Sequence, residues 1–424
     1  MKRLLTAILT TLLLTTPAQA LPVQEAVQTA LTNNPNLQRT EQSIRIAEES
    51  LKSARGQKGI SVNASSSINA NKYEGVESSE HASTSLNASL PLYSGGRLES
   101  AIKSAELGIE ISKLDFSQAQ DDLIHNVVTA YVNALENLAT TKVDLENEQN
   151  LSEHEKMIAA QFAAGAKAKI DLLRAQVETS NALQNAAKSQ ASYEVALTNL
   201  ATLMSTDSIV NLSVEEFDTH LELDDIEKYL TEADESRCDL KSDALKIEQG
   251  ELKVTSAKSG WLPNVSASVG TDFNAASRRW HITPDASAGI SASWSIFDSG
   301  VTRAAVDSAK VEVEQLKLAM ASDIDSVHEN VVTAHKNLRI ALLRLTTTQR
   351  AVELAEEERY IATERYNAGE GILLDILDAE LALSTAKKNN VSARYDVIRY
   401  SFDLAHATGN TMKAIRNEEL GIRN

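Results

Sequence analysis

A stretch of fifteen residues recurs after 204 positions, and this repeat restricts the chain to a duplicated architecture. Tyr366 to Glu380 reads Tyr-Asn-Ala-Gly-Glu-Gly-Ile-Leu-Leu-Asp-Ile-Leu-Asp-Ala-Glu, and Phe162 to Gln176 reads Phe-Ala-Ala-Gly-Ala-Lys-Ala-Lys-Ile-Asp-Leu-Leu-Arg-Ala-Gln. Aromatic, Gly, Asp and Ala coincide at Phe162/Tyr366, Gly165/Gly369, Asp171/Asp375 and Ala175/Ala379. Each copy stands between two strongly helical stretches, and its Gly suits the left-handed conformation that ends a helix. Both are read as tight reversals at the end of a long helical hairpin.

The same plan extends along both halves. Repeat 1 covers 21–204: a helix broken early at Asn33-Asn34-Pro35, a β-hairpin over 60–93, a long helix over 97–164 and a return helix over 170–203. Repeat 2 covers 236–409, with a helix, a β-hairpin over 263–297, a long helix over 301–367 and a return helix over 373–406. Between them lies an acidic insert, 205–235, and a polar tail, 410–424, follows. The strand assignments rest on period-2 alternation, as in Ile60, Val62, Ala64 and Ile68 against Ser61, Asn63, Ser65 and Ser67. After Tyr93-Ser94-Gly95-Gly96 the period changes to about 3.5, with Ile102, Ala105, Ile109, Phe116, Leu123 and Val127 in one stripe. Val306, Ala309, Val313, Met320, Val327 and Val331 repeat it at the 204 offset. A helix of this span is about 100 Å long, beyond any ordinary globular helix.

Composition narrows the setting. Lys2 and Arg3, the apolar run Leu4 to Leu14 and Ala18-Gln19-Ala20 predict a secretory signal over 1–20 and a mature chain from Leu21. Losing Lys2 and Arg3 takes the formal charge from -18 to -20, which argues against a nucleic-acid partner. No later run of eighteen apolar residues occurs, so a membrane span in this chain must be a β-barrel. The single Cys238 forms no intrachain disulfide or Cys-based zinc site. His328 and His335, two helical turns apart, are too distant to share a metal ion, and no nucleotide-loop or hydrolase motif is present. The chain is therefore read as neither an enzyme nor a cofactor protein.

Four antiparallel strands cannot close a barrel, and an open edge in lipid costs several kcal/mol per unpaired group. Three protomers supply twelve strands, within the range of outer-membrane barrels. The predicted fold class is thus mainly α with a small β part: duplicated long helical hairpins forming a tube, and four strands per protomer completing a twelve-stranded barrel in a homotrimer. Tyr93, Trp261 and Phe297 at one end of the strands, with Tyr73, Phe273 and Trp280 at the other, suit aromatic belts against outer-membrane lipid.

With these features the chain resembles the TolC-like outer-membrane efflux proteins. The resemblance rests on the duplicated plan, on Leu90-Pro91-Leu92-Tyr93-Ser94-Gly95-Gly96 with Trp294-Ser295-Ile296-Phe297-Asp298-Ser299-Gly300, and on the two Gly-x5-Asp reversals. It implies a passive exit duct in the outer membrane reaching into the periplasm, recruited by a periplasmic adaptor (membrane fusion protein) and an energised inner-membrane transporter. The cargo is either small toxic molecules or a protein of a type I secretion system. A competing reading is a structural periplasmic coiled coil without a barrel.

Asp375 and Asp378, spaced i,i+3, share a helix face just after the second reversal, and threefold symmetry makes them two stacked carboxylate rings. By themselves they read as solvated acids; the resemblance places them at the narrow periplasmic entrance. It also implies that Asp171 and Tyr366 help hold that entrance shut through bonds between neighbouring helices. Relatives carry a basic residue where this chain has Gly371, so the expected partner of Asp171 is missing, and Arg174 either supplies another link or faces solvent. The reversals themselves, Gly165, Gly369, Phe162 and Gly371, are the expected docking points for the adaptor.

Overall fold

The computed structural model describes residues 20–71, 79–207, 209, 211–213, 217, 223–276 and 283–416. The predicted signal up to residue 19, Tyr73, Trp280 and part of the acidic insert lie outside them. The elements are α1 (Val23–Asn33), α2 (Pro35–Gly56), β1 (Ser61–Asn71), β2 (Ser79–Tyr93), α3 (Arg97–Ala163) and α4 (Lys169–Met204). The acidic insert carries α5 (Ile226–Ser236), and after it come α6 (Cys238–Lys258), β3 (Asn264–Ala276), β4 (Thr283–Ser293), α7 (Val301–Asn367), α8 (Leu373–Ala407) and α9 (Thr411–Arg416). The helices α3 and α7 both have 67 residues, and both their ends are 204 positions apart.

The residues form two compact units, Asn36–Ala119 with Arg237–Val327, and Met1–Pro35 with Gln120–Ser236 and His328–Asn424. The first holds a four-stranded antiparallel sheet in the order β1-β2-β3-β4. Val62, Ala88, Val269 and Ala288 align across all four strands, as do Ala64, Leu86, Thr271 and Ala286, so one face is largely apolar. The other face is lined with small polar side chains, joined by Ser61–Ser89, Ser65–Ser85 and Ser67–Ser83 hydroxyl bonds of 2.7–2.9 Å. No core covers the apolar face: Val62, Ile68, Val269 and Ile290 are 61–77% exposed. In water that surface is unfavourable; in hydrocarbon it is the expected outside of a barrel.

β4 stops at Ser293, four residues before the predicted end. Ser293 pairs with Asn264, and the next partner would be Pro263, which has no N–H to give the ladder. Trp294 instead donates its indole N–H to the Trp261 carbonyl at 3.0 Å. Tyr93, Trp261, Trp294 and Phe297 are all exposed there.

In the second unit, α1 buries Val23, Ala26, Val27 and Ala30, and Asn34 donates to the Leu203 carbonyl. The insert is anchored by Leu212 and Phe217, both buried, and by Tyr131, whose hydroxyl lies 2.8 Å from the carbonyls of Leu21 and Ser213. His328 and His335 contact Asp234 and the Asp224 carbonyl respectively, on or beside α5.

Candidate functional site

All nine predicted site residues lie in the second unit, around the two reversals. Each reversal is a Schellman motif. In the first, Gly165 donates to the Phe162 carbonyl and Ala166 to that of Gln161; in the second, Gly369 donates to Tyr366 and Glu370 to Arg365. Both glycines have positive φ, 75° and 80°, where a side chain is strained.

The copies differ in what they bury. Tyr366 belongs to a core with Leu151, Ile158, Ala175, Ala182, Leu373, Ile376 and Leu377, so the second tip packs against the first hairpin. Its equivalent Phe162 is 38% exposed, and Ile170, Leu173 and Val177 present an exposed apolar face on α4. The Tyr366 hydroxyl donates to Gln161 Oε1 at 3.3 Å, and within the protomer this, rather than Asp171, is its described partner. Lys167 Nζ stands 4.3 Å from the centre of the Tyr366 ring, a cation–π contact. Lys167 is the copy-one equivalent of Gly371, so the basic residue absent from the second reversal is present in the first. The repeat offset was the signal that would have found it.

Gly371 donates its N–H to the Arg365 carbonyl at 3.0 Å. A Cβ there would lie 3.0 Å from the Tyr366 nitrogen and 3.2 Å from the Arg365 carbonyl carbon, so the turn leaves little room for a side chain. Asp375 accepts a hydrogen bond from the Ile372 N–H at 3.3 Å, which closes the first turn of its own helix. Asp378 is exposed one turn further on, Arg174 is exposed on α4, and Asp171 is half-buried in the first turn of α4. Asp375 and Asp378 therefore share an outward face, whereas Ile376, Leu377, Ala379 and Glu380 face inward.

Sequence reasoning missed one cluster. Glu380 is 2% exposed, with Arg359 Nη1 of α7 at 3.5 Å and His154 Nε2 of α3 at 3.7 Å. Burial alone would raise its pKa, but His154 and the positive Arg359 outweigh it and hold the carboxyl below the usual range. The available signal was an acid standing in an apolar stripe.

The model of the family described as Outer membrane efflux protein matches residues 26–206 and 229–410. Outer membrane protein TolC of Escherichia coli (strain K12) is 21% identical over 411 residues, covering 92% of this chain and 83% of that one. Nodulation protein T of Rhizobium leguminosarum bv. trifolii is 25% identical over 303 residues, 68% of this chain and 62% of that one. Among solved structures, the outer-membrane channel OprN superposes with a TM-score of 0.79 at 23% identity, covering 92% of this chain and 90% of its own.

Proposed function

We propose a transport mechanism from one premise: this chain belongs to the outer membrane efflux protein family. It is an outer-membrane efflux channel that extends into the periplasm, and the sheet removes the reading as a coiled coil without strands. The observation that carries the mechanism is the sheet itself, apolar and uncovered on one face, polar on the other, and unpaired at the outer edges of β1 and β4 among the described residues. Edge pairing between copies removes both unpaired edges, and three copies give a twelve-stranded barrel whose serine-rich face lines the lumen.

In this arrangement the long helices of three protomers form the periplasmic tube. The outward face of α8 turns Asp375 and Asp378 toward the threefold axis, as two rings that narrow the entrance and draw cations. The exposed tip around Phe162 and Ile170 receives a periplasmic adaptor, which joins the duct to an inner-membrane transporter. That transporter provides the energy and selects the cargo.

Size measurement in detergent and planar-bilayer recording test this reading together. A trimer is expected, with trivalent cations blocking current from the helical side. Asp375→Asn with Asp378→Asn keeps size and polarity and removes the charge, so block is lost while the trimer persists. A folded, membrane-inserted monomer overturns the barrel; block unchanged in the double variant overturns the entrance.

A further inference from the structure

The inward stripe of α8 carries an acid where packing calls for an apolar residue. Leu373, Ile376, Leu377 and Leu383 are buried along one stripe, and Glu380, four positions after Ile376 and three before Leu383, stands within it. Its Oε1 is approached from two helices, by Arg359 of α7 and His154 of α3, at distances too long for strong hydrogen bonds. Arg359 Nε is buried and has no hydrogen-bond partner among the described residues. Replacing every member of such a buried ionic group with well-packed apolar side chains is often neutral or stabilising. The acid is thus a poor choice for stability alone.

It is a good choice for fixing position. Apolar contacts are non-directional and tolerate small rotations, whereas a charge answered from two helices favours one register. The seam between α3 and α8 carries further polar links: the contacts Asp122–His406 and His125–Asp403, and the ion pairs Glu136–Arg399, Asp144–Lys388 and Glu146–Lys387. Numbers on α3 rise as those on α8 fall, so the links specify one antiparallel register, and His154–Glu380 is the link nearest the reversal. At about 100° per residue, Glu380 lies about 200° around the helix from Asp378, on the opposite side. Turning Asp378 away from its outward direction would carry Glu380 out of the site between α3 and α7.

We propose that Glu380, held by Arg359 and His154, is a positioning residue for the entrance: it fixes the rotation of α8 and so the direction in which Asp375 and Asp378 project. This inference rests on the entrance reading above. Its test is single-channel recording with hexaamminecobalt(III) on the helical side of wild type, Glu380→Leu, Glu380→Gln and the double Asp→Asn variant. Glu380→Leu, which leaves Arg359 and His154 without their acid, should still assemble with an unfolding temperature below that of wild type, and should need about tenfold more cation for half-block, one decade in affinity. Glu380→Gln should weaken block in the same direction while lowering the unfolding temperature, because Arg359 then faces a neutral amide.

A purely structural Glu380 predicts altered stability with unaltered block. Unchanged block in Glu380→Leu, with block lost in the double Asn variant, overturns the positioning role and leaves the entrance standing. Unchanged block in the double Asn variant overturns the entrance, and the positioning role with it. If Glu380→Leu does not assemble, Glu380→Gln and His154→Gln decide the matter, and unchanged block in both overturns the proposal.

Discussion

Ser94 and Asp298, 204 positions apart, cap the two 67-residue helices in the same way. Ser94 Oγ accepts from the Leu98 amide at 3.3 Å, and Asp298 Oδ2 accepts from the Thr302 amide at 2.7 Å. A second bond, from the Gly300 amide to Asp298 Oδ1 at 3.0 Å, makes the later cap the tighter one. The bonds from Thr302 hold the Asp298 carboxyl below its ordinary range. Asp298→Ala leaves both amides without that acceptor and should speed hydrogen exchange at Thr302; Ser94→Ala should have a smaller effect at Leu98. Because the folded pKa is depressed, Asp298 protects fully above the unfolded carboxyl range, and protection falls as pH drops through the lowered value. Equal exchange in wild type and Asp298→Ala at neutral pH would show that the cap does not hold this turn.

Gly371 makes the second reversal intolerant of side chains. Its missing Cβ would meet the backbone of Tyr366 and Arg365, which cannot swing aside as a side-chain end can. Gly371→Ala should lower stability by about 1–2 kcal/mol, within the range for overpacking a tight site. Gly371→Arg, which places a basic residue where the family resemblance implies one, should be no better tolerated, because the obstruction lies at Cβ. Thermal unfolding of both variants in detergent checks this. If Gly371→Arg is as stable as wild type, the turn yields more readily than its geometry implies.

Much of the fold was legible because it is periodic. The change from period 2 to about 3.5 after Tyr93 and the 204-residue offset mark the strands, long helices and reversals in the sequence itself. The early end of β4 was not legible. Trp294-Ser295-Ile296 continues the alternation, and only the pairing register places Pro263 opposite it. The candidate residues Gly369, Asp375 and Asp378 could be named together because they lie in one short stretch. Glu380, Arg359 and His154 meet from three helices, and no local pattern connects them. Lys167 was missed because the basic residue was sought in the second copy, while its contact with Tyr366 arises from the first.

The two reversals should respond differently to the same substitution. Gly165 and Gly369 share positive φ, so Val at either position forces a β-branched side chain into a strained backbone. Around Gly165 the tip is exposed, with Phe162, Ile170 and Leu173 uncovered, whereas Tyr366 beside Gly369 is buried in the core between hairpins. Gly165→Val should therefore spare trimer stability and reduce export, measured as drug sensitivity of a complemented deletion strain. Gly369→Val should lower the unfolding temperature as well. Normal export with Gly165→Val would remove the first reversal from the docking surface.

Acid should loosen the second hairpin through Glu380. Burial works against its charge, but His154 and Arg359 prevail and keep its folded pKa depressed. An unfolded Glu titrates near about 4.3, so the ionised side chain contributes fully above about pH 5, and its contribution fades as pH falls through the lowered folded value. Removing one partner of a fully buried pair costs about 3–5 kcal/mol; Arg359 is 42% exposed in its side chain, which reduces the expected effect here to about 1–2 kcal/mol. Wild type should then unfold at a higher temperature than Glu380→Gln at pH 6, and the difference should shrink steadily toward pH 3. Thermal unfolding of both proteins across the series measures the difference directly. A gap that stays constant from pH 6 to pH 3 would mean that the charge of Glu380 contributes nothing to holding α8, and the residue would then act through its shape alone.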